Sequence, residues 1–228
     1  MSLATRTLDN LLDQSSWAGH LSAPDLERVR RETIVRDLPA EGLVCRKGAA
    51  VECWIGVVEG LVKIASVSPQ GKSVTFTGVP TGGWLGEGSM LKDEPRRYDV
   101  VALRASRIAY LPRATFQWLL DTSLPFNRFL LEQLNERLGQ FIAVVEYERL
   151  LEPNARVARC LAQLFNPILY PGLGPRLDIS QTELGFLTGL SRQRVNQALA
   201  ALESAGLLKV EYGGVMVRDL PALGRFEG

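Results

Sequence analysis

From residue 179 to 218 the apolar positions fit two short helices followed by a hairpin. Ser180 stands three residues before Glu183, a capping-box spacing, and opens a helix whose buried side carries Leu184 and Leu187. Gly189 ends that helix. Ser191 caps a second one, in which Val195, Leu199 and Leu202 recur at three- and four-residue steps, leaving Arg192, Gln193, Asn196 and Gln197 on the opposite arc. Past Gly206, the run Leu208, Val210, Tyr212 meets Val215 and Val217 across Gly213-Gly214, a dipeptide suited to a two-residue turn. Two crossed helices and a hairpin are the layout of a winged helix. Its polar arc carries the side chains that read base edges, since arginine forks match guanine and Asn or Gln match adenine. They lie near the N-terminal end of the second helix, the end such motifs push into the major groove. A plain helical hairpin with solvated polar residues is the competing reading, and the order of elements argues against it.

From about residue 40 to 112 the period changes to two. Val62 and Ile64, then Val74 and Phe76, mark short strands broken by Ser68-Pro69-Gln70-Gly71. Glycines recur at the corners, at 42, 48, 60, 71, 83 and 86, which predicts a compact antiparallel roll or barrel. After Pro112 the pattern is helical again. Leu131, Leu134, Leu138, Phe141 and Val145 follow a 3,4,3,4 spacing on one long helix that runs to Pro153. Such a seam either pairs with a second copy or packs on the chain's own roll. The division expected is a roll with an N-terminal helix over residues 1–120, a dimerisation helix over 121–152 and a winged-helix domain over 153–228, broken at Pro153-Asn154. The fold class is α+β.

Composition narrows the function. An apolar content of 46% in 228 residues supports two modest cores. No apolar run approaches the roughly 20 residues that cross a bilayer, and the N-terminus lacks a basic flank before an apolar core, so a cytoplasmic, membrane-free protein is expected. Cys45, Cys53 and Cys160 form no CxxC pair, which fits buried thiols better than a disulfide or metal framework; Cys45 or Cys53 as a redox switch stays open. A net charge of +1 is no nucleic-acid signature, so the basic character must be local, at Arg192 and Arg194. The single histidine, His20, leaves little scope for acid-base catalysis, and residues 82–88 lack the surrounding βαβ unit of a dinucleotide fingerprint. No enzyme is expected.

Three motifs together resemble the Crp/Fnr family of bacterial transcription regulators over nearly the full length. They are the series Gly42, Gly48, Trp54, Gly60, Gly71, Gly83; the pair Gly86-Glu87 followed by Arg97, similar to the family's phosphate-binding cassette; and ITxxELGxxxGLSRxxVxxxLxxLExxGLL, with Ser180 in place of the Thr. The resemblance implies a double-stranded β-helix (jelly roll) of the cyclic-nucleotide-binding kind, which senses a small molecule, a long dimerisation helix and a C-terminal winged helix-turn-helix. It implies a homodimer on an inverted-repeat operator in double-stranded DNA, with half-sites about 34 Å apart, and RNA polymerase as a candidate partner. Arg192 falls on the family's guanine-reading arginine, Gln193 where many members carry Glu, and Gln197 where some carry Arg. Ser180 and Thr182 match phosphate-contacting positions. Ser191, Arg194 and Asn196 complete the DNA-facing set.

The effector pocket implied by the resemblance comprises Gly86, Glu87, Arg97, Tyr98, Phe141 and Ile142. Here Arg97 is followed by Tyr98 and Asp99, not the Ser or Thr of nucleotide-binding members. Phe141 and Ile142 stand where the cyclic-AMP-responsive members place a Thr-Ser pair. The effector expected is therefore an unknown small molecule other than cyclic AMP, or the pocket is filled by the chain's own side chains; a dimeric module that responds to a cyclic nucleotide is the alternative. No cofactor or metal is implied, because an iron-sulfur version needs an N-terminal cysteine cluster and a haem version an axial ligand.

Overall fold

The computed structural model describes residues 6–68, 70–71 and 73–227, so Pro69 of the expected 68–71 break and residues 1–5 of the expected first domain lie outside the described residues. Two helices, α1 (Leu8–Gln14) and α2 (Ala23–Glu32), precede the strands. Thr7 and Ser22 cap them by accepting from the amides of Asn10 and Asp25. Strands β1 (Ile34–Leu38), β2 (Leu43–Cys45), β3 (Cys53–Glu59), β4 (Leu61–Val67), β5 (Ser73–Pro80), β6 (Trp84–Leu85), β7 (Asp99–Ala102) and β8 (Ser106–Pro112) follow, with α3 (Glu87–Lys92) between β6 and β7. They form two four-stranded antiparallel sheets, in the orders β1-β8-β3-β6 and β2-β7-β4-β5.

The inner faces of the two sheets meet through Ile55, Val57, Val62, Ile64, Val79, Leu85, Val100, Ala102 and Ile108. The outer face of β3 is covered as well, because Trp54 turns towards α1 and the long helix. Trp54 and Trp84 stack with ring centroids 4.2 Å apart, and Trp17, Phe116 and Phe126 pack edge-on or tilted around Trp54. The Trp84 indole N–H donates to Ser15 Oγ at 2.8 Å. This wedge clamps α1, the roll, α4 (Arg113–Thr122) and α5 (Leu124–Leu150) into one unit.

Helix α5, capped by Ser123, has two distinct faces. Phe126, Phe129, Leu130, Gln133, Arg137 and Gln140 are buried against the roll side. Leu131, Leu138, Ile142 and Val145 are 69, 59, 61 and 49% exposed, an apolar stripe that the described residues leave uncovered; Leu134 and Phe141 are half-buried at its margin. The helix thus carries both a roll-packing face and a separate apolar seam.

Helix α6 (Pro153–Gln163) starts the last unit, followed by β9 (Arg176–Asp178), α7 (Gln181–Thr188), α8 (Arg192–Ser204), β10 (Leu208–Glu211), β11 (Gly214–Val217) and α9 (Leu220–Leu223). Val157, Ala158 and Leu161 of α6 pack with Leu184, Val195, Leu199 and Leu202. The expected hairpin is observed, but its turn is one residue earlier and its register differs accordingly: Leu208 pairs with Val217 and Val210 with Val215, where a turn at Gly213-Gly214 would pair Val210 with Val217 and Tyr212 with Val215. Glu211 pairs with Gly214, so the turn residues are Tyr212 and Gly213, the latter at φ +74°. Gly214 is glycine for another reason, since a Cβ there would lie 2.5 Å from the Leu177 carbonyl oxygen. That close approach admits β9 as a third strand, which the sequence pattern does not predict.

Candidate functional site

The residues expected to face DNA come from two capped helix starts. Ser180 Oγ accepts from the Glu183 amide at 3.2 Å, and the Glu183 carboxylate accepts from the Ser180 amide at 2.6 Å, so the capping box is complete. Ser191 Oγ accepts from the Arg194 amide at 3.2 Å. Val195, Leu199 and Leu202 are buried, which turns Thr182, Ser191, Arg192, Gln193, Asn196 and Gln197 to solvent on one side; Ser180 and Arg194 are half-buried. Arg194 donates to Gln197 Oε1 at 3.0 Å. Gln181, outside the set expected from sequence, reaches both Arg192 and Asn196. Tyr212 is fully exposed at the wing tip.

The capping box also ties this unit to the roll. Arg104 donates two hydrogen bonds to the Glu183 carboxylate, at 2.9 and 2.5 Å, and Lys63 lies 4.6 Å over the Phe186 ring. Burial pushes the Glu183 carboxyl up, but hydrogen bonds from Arg104 and Ser180 outweigh it and hold the group below its ordinary value. A depressed carboxyl adds stability that is present above its unfolded value, about 4.3, and is lost as pH falls through the lower folded value. Arg104→Gln should therefore cost about 1.5–3 kcal/mol at pH 7 and less at pH 3, read by urea denaturation at both. Equal losses at the two pH values would contradict this assignment.

In the roll, the structure corrects the cassette arginine. Arg97 extends into solvent and forks onto Glu94 at 2.6 and 2.8 Å, holding that carboxyl down to about 2. Its neighbour Arg96 is the buried one, donating to the carbonyls of Gly86, at 3.3 Å, and Cys53. Gly86 adopts φ +91°, and a Cβ there would strike the Arg96 guanidinium. Glu87 is buried and accepts from Trp54 Nε1 at 3.5 Å. Tyr98 is half-buried against the roll's core, and burial, reinforced by the nearby Glu87 charge, pushes its hydroxyl up. Asp99 faces outward, because Val100 and Ala102 occupy the inner side of β7, and its carboxylate accepts from the Lys47 amide at 2.8 Å. It is not poised to repel a ligand.

Ile142 is likewise not a helix residue that meets the roll. At 100° per residue Ile142 stands half a turn from Gln133 and joins the exposed stripe, while Phe141 sits at its edge. Arg137 and Gln140 take the inward place. Arg137 donates to Tyr170 Oη at 2.8 Å, Gln140 Oε1 at 3.1 Å and the Trp84 carbonyl at 3.0 Å; Tyr170 in turn donates to the Gly78 carbonyl at 3.0 Å. Leu169 and Tyr170, which sequence assigns to the DNA-binding unit, are packed in the roll's own core. Tyr170, Arg137 and Gln140 thus occupy the space where α5 meets the roll.

Burial raises the Cys45 thiol to about 11 and the Cys160 thiol to about 12, and raises Cys53 as well. Little thiolate is present at neutral pH, which argues against the redox reading. His20 is exposed, with Nδ1 2.7 Å from the Ser16 carbonyl. Among the described residues no cluster of His, Cys, Asp and Glu is placed to hold a metal, and no helix is long and apolar enough to cross a membrane.

Comparison with known proteins bears on this geometry. The family model described as a cyclic nucleotide-binding domain matches residues 35–123, and that described as a Crp-like helix-turn-helix domain matches residues 155–226. The chain is 23% identical over 221 residues to the cAMP-activated global transcriptional regulator CRP of Haemophilus influenzae, covering 95% of this chain and 98% of that one. Among solved structures it is similar in fold to FixK2 from Bradyrhizobium japonicum, with TM-score 0.69, 15% identity and coverage of 86 and 98% of the two chains. It is also similar to the c-di-GMP responsive global regulator CLP of Xanthomonas campestris, with TM-score 0.58, 24% identity and coverage of 86 and 99%. With the two domain families matched in this order and a regulator aligned along nearly the whole length, the chain belongs to the Crp/Fnr family of DNA-binding transcription regulators.

Proposed function

We propose that the chain acts as a homodimer that grips an inverted-repeat operator, with residues 1–120 as sensor, 121–152 as dimer helix and 153–228 as DNA-binding domain. The observation that carries this reading is the solvent-facing arc of Arg192, Gln193, Asn196 and Gln197 at the start of α8, on a helix whose opposite side is buried. Selection of bound fragments from a random DNA pool tests it, and the recovered motif should be two-fold symmetric. Arg192→Ala should lose about 1–3 kcal/mol, mainly on sites with its preferred base, whereas Thr182→Ala should weaken all sites alike. A neutral Arg192→Ala in binding titrations, or a motif without symmetry, would defeat this assignment. RNA polymerase is the partner such a regulator would address.

The effector is not cyclic AMP in this reading, and the relatives themselves differ, one being named cAMP-activated and another c-di-GMP responsive. A nucleotide entering the roll has to displace Tyr170. That forfeits about 1.5–3 kcal/mol of aromatic burial and a similar amount for the hydrogen bond to the Arg137 charge, enough to turn micromolar affinity into millimolar. Calorimetric titration with cyclic AMP or cyclic GMP should show no saturable heat below millimolar ligand. The buried Arg96 beside Gly86 and Glu87 favours the second reading, a module responsive to a cyclic nucleotide. Micromolar binding abolished by Arg96→Ala would establish that reading instead.

A further inference from the structure

We infer that Gln181 is a specificity-determining positioning residue that sets which hydrogen-bonding atoms Asn196 and Arg192 offer to DNA. The inference rests on the DNA-reading role proposed above. Gln181 occupies the first position of α7, across from the first turns of α8. Its Nε2 donates to Asn196 Oδ1 at 2.9 Å, and its Oε1 accepts from Arg192 Nε at a longer 3.5 Å. One amide thus bridges two residues that are four apart on the reading helix.

The consequences follow from donor and acceptor counts. An Asn that pairs with adenine uses both ends of its amide, accepting from N6 and donating to N7. With Oδ1 turned to Gln181, Asn196 presents its NH2 outward and acts as a donor. It then best matches an edge made of acceptors, guanine O6 and N7 or thymine O4, whereas adenine offers it N7 alone and leaves the N6 donor unanswered. Arg192, with Nε engaged, keeps both terminal nitrogens for a fork onto guanine O6 and N7. The bland alternative, an exposed polar contact without consequence, leaves base preference unchanged when Gln181 is replaced.

The test compares the full-length wild type with Gln181→Glu, Gln181→Met, Asn196→Ala and Arg192→Ala on operators carrying each base in turn. Only affinity ratios between bases are read, so an even loss from the added charge of Gln181→Glu cancels. Asn196→Ala identifies its position as the one where preference flattens, and the wild type should favour G or T there by about tenfold. A glutamate can accept from Arg192 but cannot donate to Asn196, so the Asn196 amide should rotate to donate and show Oδ1 to the DNA. Gln181→Glu should then invert that preference towards A or C while keeping the Arg192 discrimination. Gln181→Met, which offers no hydrogen bond of this strength, should flatten both positions. A wild-type preference for A or C at the Asn196 position, or unchanged ratios in Gln181→Glu, overturns the inference while DNA reading stands. No DNA binding by the wild type, or neutrality of both Arg192→Ala and Asn196→Ala, overturns the underlying reading too.

Discussion

Leu138→Glu should convert the chain to a monomer and remove tight operator binding in the same step. Leu138 lies in the middle of the stripe formed with Leu131, Ile142 and Val145 on α5. Each of these side chains leaves water on pairing, at about 1.5–3 kcal/mol apiece when burial is complete. The roll cannot supply that burial, since it already holds the opposite face through Gln133, Arg137 and Gln140. In a two-fold arrangement residue 138 meets a symmetry-related neighbourhood, so one substitution introduces two like charges into the seam. Loss of the second subunit also loses the second half-site, worth about 10²–10⁴ in affinity where both half-sites can be engaged at once. Sedimentation velocity should show the variant at half the wild-type mass, and gel shifts should show the matching loss. Glu132→Gln, on the same helix but off the stripe, should change neither. A monomeric wild type, or a Leu138→Glu protein still dimeric at full affinity, would end the dimer proposal.

The C-terminal unit is the most legible part of the chain because its signals are local. A capping box, a left-handed glycine and a 3.6-residue period each act within one or two turns, and Ser180, Glu183, Gly189 and Ser191 all do what their spacing implies. The wing turn is displaced by one residue because Gly214 answers to β9, a strand of three residues too short to leave a pattern. In the roll, sequence offers two adjacent arginines and cannot tell which one enters. The register of β7 decides: Val100 and Ala102 face inward and Asp99 outward, and Arg96 closes onto Gly86. Helix phase decides likewise between Ile142 and Arg137. Tyr170 is the least legible residue, since its partners Gly78 and Arg137 lie 92 and 33 positions away and no periodicity links them.

Tyr170 is also a position where a single substitution should cost the roll heavily. Its ring sits among the apolar residues of the roll at 1% exposure, and its hydroxyl is the shared partner of Gly78, Arg137 and Gln140. Tyr170→Ala opens a cavity and leaves the Gly78 carbonyl and one Arg137 N–H short of a partner. The expected loss is about 3–5 kcal/mol, by analogy with other large aromatic truncations. Tyr170→Phe keeps the ring and removes only the hydroxyl, so it should cost about 1–3 kcal/mol. Unfolding in urea followed by tryptophan fluorescence reports on the roll unit, because Trp54 and Trp84 lie in its strands, Trp17 packs against them and the fourth, Trp118 on α4, packs on the same cluster. The Phe variant separates the two contributions: if it loses as much as the Ala variant, the hydroxyl network holds this segment on the roll, and if it loses nothing, packing alone does. If the Ala variant is as stable as the wild type, Tyr170 does not fill the pocket in solution, and a nucleotide need not displace it.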